Sequence, residues 1–91
     1  MILDSQIAQA SGVVSQRIDD TVVLLRIDGA QYYTLEEVGA LVWDLCDGTT
    51  GFEQMVAAVC QEYAAASEDV EADVRELLTD FASEGLITVG G

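Results

Sequence analysis

A chain of 91 residues that is 51% hydrophobic can bury one small core, yet seventeen acids against three arginines, with no lysine or histidine, leave it at −14. That imbalance opposes nucleic acid and anionic membrane surfaces, both of which are bound by cationic neutralisation of phosphate. No apolar run approaches the roughly 18–20 residues of a spanning helix, and no signal peptide opens the chain. A cytoplasmic protein, one domain over residues 1–91, is expected.

Met1–Gly12 shows no firm periodicity and reads as a loosely tied arm. Val13–Ile18 and Thr21–Ile27 are β-branched and aliphatic runs separated by an Asp19-Asp20 turn. The second run is apolar almost throughout, which predicts a central strand covered on both faces or nearly so. Asp28-Gly29 is a two-residue hairpin signature, and Ala30–Thr34 returns as a third strand. The three form an antiparallel meander with its first and third strands at the edges.

Thr34 and Glu37 have capping-box spacing and predict a helix over Leu35–Cys46, its inner face Leu35, Val38, Leu41, Val42 and Leu45, with Trp43 at its side. Gly39 inside it costs about 1 kcal/mol relative to alanine. Close packing against the sheet, which a side chain would block, is the expected compensation. Thr50 and Glu53 make a second box, opening a helix through about Tyr63 with Phe52, Met55, Val56, Val59 and Cys60 inward. Ser67 caps a third, with Glu68 and Asp69 at its positive end and a stripe of Val70, Val74, Leu77, Leu78 and Phe81. Gly85 ends it, and Leu86–Val89 is a short extended piece. The order βββααα defines an α+β fold with the helices on one side of the sheet.

Chemistry-bearing constellations are missing. There is no imidazole or amine for base or Schiff-base work, and no phosphate-binding or dinucleotide fingerprint, so neither an enzyme nor a cofactor is expected. The paired acids Asp19-Asp20, Glu36-Glu37 and Glu68-Asp69 fall at turns and caps, where acids belong structurally. Cys46 and Cys60 are too few for a closed zinc site and read as small buried hydrophobes, a disulfide or redox pair being the alternative. Asp4-Ser5-Gln6 is a poor match to a carrier-protein attachment site. The acids from Glu62 to Glu84 form either a solvated helix face or a surface that steers a basic partner. What remains is the Ala30–Gly48 stretch, a short aromatic strand at a sheet edge feeding a helix. An open edge beside a helical groove is a peptide-binding device.

The run YYTLEEVGALVWDLCDG, with Tyr33, Leu35, Glu36, Glu37, Gly39 and Trp43 in register, and the later SEDVEADVRELLTDFASEGLI resemble the PqqD-like family over Val13–Val89. These are the recognition elements of ribosomally made, post-translationally modified peptides. The resemblance implies a three-stranded antiparallel sheet plus a three-helix bundle, a relative of winged helix-turn-helix domains. It implies that a precursor's leader peptide adds as a fourth strand to Ala30, Gln31, Tyr32, Tyr33 and Thr34. The third helix then supplies the wall from Val70, Asp73, Val74, Leu77, Leu78 and Phe81. One stripe cannot serve core and groove alike, so Val74 and Leu78 are expected mainly in the core and Asp73, Leu77 and Phe81 nearer the rim. In lasso-peptide relatives the leader carries an aromatic and a proline anchor. The partner implied is the leader peptidase of a lasso-peptide pathway, with a radical enzyme as the alternative in the PqqD branch. A winged-helix DNA-binding role is the competing class, and the charge opposes it. A monomer or weak homodimer is expected, since an open edge can pair with its own copy.

Overall fold

The structure is a computed structural model and describes residues 6–28 and 31–90. The elements run β1 (Gln6–Gln9), β2 (Val13–Ile18), β3 (Thr21–Arg26), β4 (Gln31–Glu36), α1 (Val38–Leu45), α2 (Phe52–Tyr63), α3 (Ser67–Ser83) and β5 (Ile87–Gly90). Strands β2, β3 and β4 form the antiparallel meander with β3 central, and the three helices complete the α+β fold. Gly29 and Ala30, on which the hairpin turn and the start of the third strand were placed, lie outside the described residues.

Alternation sorts the meander into two faces. Val22 and Leu24 turn inward and are buried, opposite Leu35 and Tyr33 of β4. The other face is not covered, contrary to the expectation for β3. A row across all three strands, Val14, Leu25 and Tyr32, is exposed by 52%, 44% and 72%.

The N-terminal segment is no loose arm where it is described. Strand β1 pairs antiparallel with β5, Ile7 facing Val89 and Gln9 facing Ile87. The Gln9 N–H donates to the Cys46 carbonyl at 3.0 Å, and the Gly48 N–H donates to the Ile7 carbonyl at 2.8 Å. Ile7 is wholly buried. Burial of that one large side chain, worth roughly 1.5–3 kcal/mol, and the paired backbone offset the ordering entropy of the strand.

All three predicted helix starts shift. Thr34 and Leu35 stay in β4, and α1 begins after Glu37, whose φ of 53° and ψ of −121° turn the chain sharply without any side-chain cap. Helix α2 starts after Gly51, whose N–H donates to Gln54 Oε1 at 2.8 Å. Thr50 instead joins a turn organised by Asp47, whose carboxylate accepts the Thr49 and Thr50 N–H groups at 2.8 and 3.0 Å. Ser67 is the first residue of α3 and not its cap, while Glu68 and Asp69 occupy the first turn as expected. The α3 C-terminus is a Schellman motif: Leu86 N–H donates to the Phe81 carbonyl at 2.8 Å and Gly85 N–H to that of Ala82 at 3.1 Å, with Gly85 at φ 72°.

The core gathers Val42, Met55, Val59, Val74, Leu78 and Leu86 around Trp43. Trp43 is central, not lateral as its sequence position suggested, and meets Phe81 edge-on with ring centroids 5.8 Å apart.

Candidate functional site: a groove between β4 and α3

Strand β4 pairs with β3 on one side and has no strand on the other among the described residues. Helix α3 meets it at two places, the Tyr33–Glu84 hydrogen bond and the lining of one cavity, so strand and helix form two walls. At one end the walls are tied. The Tyr33 hydroxyl lies 2.9 Å from Glu84 Oε2 and 3.1 Å from Gln31 Oε1, donating its single proton to one at a time. The hydrogen bond to Glu84 is the main reason the phenol titrates above its ordinary range. Arg26 reinforces the tie by donating to the Glu84 carbonyl at 2.9 Å.

At the other end the walls part. A cavity of about 300 Å³ opens between the β4–α1 corner (Glu36, Glu37, Val38, Gly39) and one face of α3 (Asp73, Glu76, Leu77, Asp80). Its floor is apolar and its rim carries five carboxylates with no cation. A larger cavity, about 460 Å³, lies elsewhere, between the β2–β3 turn, α1 and the end of α2. Its one cation, Arg17, is already paired with Asp44.

The structure divides the expected site residues. Gln31, Tyr32, Tyr33 and Thr34 lie on β4, with Tyr33 inward and half-buried and Tyr32 outward. Asp73 is exposed and Leu77 half-buried on the groove face. Val74 and Leu78 are core, as expected. Val70 and Phe81 are core as well, Phe81 only 4% exposed, so the rim position expected for Phe81 is wrong. Its ring is taken up by Trp43. The residues missed are Glu36, Glu37, Val38, Gly39, Glu76 and Asp80. The α3 members were legible, since 73, 76, 77 and 80 share one face by helical spacing.

Gly39 does not fill the role expected of it. A Cβ built there would meet Leu35 Cδ2 at 3.7 Å and Leu77 Cδ2 at 3.8 Å, ordinary contacts and no obstruction. The two cysteines are free thiols, and burial pushes Cys46 up to about 12. No helix is long and apolar enough to cross a membrane among the described residues.

A three-stranded meander with an open edge, backed by three helices, defines a small α+β class. A family described as coenzyme PQQ synthesis protein D (PqqD) matches residues 21–87, most of the chain. The chain belongs to the PqqD family. No curated protein matches it. Among solved structures, TbiB1 in complex with the TbiA(beta) leader peptide is 34% identical, with a TM-score of 0.84 over 92% of this chain and 98% of that one. Lasso peptide synthetase B1 complexed with the leader peptide is 19% identical, with a TM-score of 0.84 over 92% and 99%, and shows the shared fold.

Proposed function

We propose that this protein binds the leader segment of a ribosomally synthesised precursor peptide and delivers it to a modifying enzyme, the leader peptidase of a lasso-peptide pathway. The observation that carries the reading is the open β4 edge facing α3. Its groove is tied at Tyr33–Glu84 and open at Leu77. An added antiparallel strand satisfies the unpaired edge groups, and every second peptide side chain turns inward toward α3. The likeness to TbiB1, solved with a leader peptide, supports the same use of the fold. The chain acts by binding and not by catalysis, and works in the cytoplasm as one domain.

The exposed Val14–Leu25–Tyr32 face continues from the edge that receives the peptide. It offers an uncharged apolar surface on which the enzyme can sit beside the added strand. The test is a fluorescence-anisotropy titration with the TbiA(beta) leader peptide. Leu77→Glu weakens binding at least about tenfold, as one misplaced charge in an apolar pocket does, while the circular dichroism spectrum stays unchanged. Undiminished affinity in the folded variant rules the groove out. Co-purification of the loaded protein with a radical enzyme in place of a peptidase reassigns the partner.

A further inference from the structure

We infer that Gly39 is a specificity-determining residue of the groove, a bare patch of α1 that admits an inward-facing side chain of the bound peptide strand. The inference rests on the leader-binding reading above. Gly39 is the second residue of α1 and has helix-compatible backbone, where alanine would restrict the unfolded chain and so stabilise the fold; the glycine therefore has a cost that some other requirement must offset. The backbone does not require it, since the φ of Gly39 lies outside the left-handed region. Packing does not require it either, since the nearest atoms to an added Cβ stand at 3.7 and 3.8 Å.

What a methyl group would take is cavity. Its neighbours would be Leu35, from the β4 wall, and Leu77, from the α3 wall. The position therefore lies between the two walls, on the floor of the space of about 300 Å³. A strand added to β4 sends alternate side chains into that same space. Gly39 thus gives up stability to keep a vacancy, a trade expected at binding sites and unexpected in plain core. The side chain admitted has an apolar body resting on Val38, Gly39 and Leu77.

The experiment titrates full-length wild type, Gly39→Ala and Gly39→Leu with fluorescein-labelled TbiA(beta) leader peptide, alongside thermal melts of each protein. Gly39→Ala is expected to melt at or above the wild-type temperature and to bind about tenfold more weakly, the size of effect one methyl has in an apolar pocket. Gly39→Leu binds more weakly still. An alanine scan of the peptide against wild type and Gly39→Ala locates the side chain concerned, because its truncation costs less in the variant. Unchanged affinity in folded Gly39→Ala overturns the inference and leaves the leader-binding reading standing. A lowered melting temperature for Gly39→Ala also overturns it, by making the glycine a packing requirement. Absence of binding by the wild type overturns the reading and the inference together.

Discussion

Three single residues carry strain or charge that can be tested directly. Glu37 holds φ 53° and ψ −121°, a conformation that glycine adopts freely and a side chain does not. Such strain costs on the order of 1–3 kcal/mol and collects where a chain is shaped for binding. Glu37→Gly is expected to raise the urea midpoint. Asp47 has its carboxyl held down at about 2, first by the Thr49 N–H, against an ordinary 3.8. Its folded pKa is depressed, so the stability it contributes is present above the ordinary value and is lost as pH falls toward about 2. Melting curves of wild type and Asp47→Ala should therefore differ at neutral pH and converge across that interval. Cys46 is buried and its thiol raised to about 12, so iodoacetamide should label half-buried Cys60 first in the native protein, with Cys46 reacting only on unfolding.

At the scale of elements, α3 divides core from groove as its stripe led one to expect, except that Phe81 falls on the core side. Val70, Val74, Leu78 and Phe81 pack inward, while Asp73, Glu76, Leu77 and Asp80 line the cavity opposite the β4–α1 corner. Phe81→Ala, which removes the ring from Trp43, should destabilise by about 3–5 kcal/mol in chemical denaturation, whereas changes at Leu77 spare the fold. The meander and the helices were legible because period-2 and period-3.6 patterns are local. The inner stripe of α3 was legible too, but not which neighbour each member meets, since that depends on where Trp43 ends up. Strand β1 was illegible because its sequence, QIAQ, has one large apolar residue and a partner far along the chain. The capping boxes at Thr34 and Thr50 met the right spacing, but the chain had stronger uses for both residues: β-pairing with Val23, and the Asp47 turn. Of the site, the β4 edge could be read from residue types. The cavity could not, because it depends on the corner at Glu37 and on the absence of a side chain at Gly39.

The whole molecule is polarised. Acids crowd the helices and rim the groove, while the outer sheet face carries the uncharged row Val14, Leu25 and Tyr32. A leader with lysine or arginine near the groove mouth is drawn to the acidic side, so raising NaCl from low to near-physiological strength should weaken binding and slow association. On the proposed docking of a modifying enzyme at this face, Leu25→Glu is expected to leave leader affinity intact and to impair processing in a reconstituted reaction. Retained processing would free that face of any docking role.

The β1–β5 pairing has a consequence for how this protein comes into being. Strand β1, which carries the buried Ile7, pairs with β5, and contacts between segments so far apart form late because a long loop must first be closed. On the ribosome, a nascent chain that has finished α3 still lacks the strand that pairs with β1. Chains halted before Ile87 should be rapidly degraded by protease in a translation-arrest experiment, and chains released beyond Gly90 should resist. Closure of the core is then completed after synthesis, in one final step.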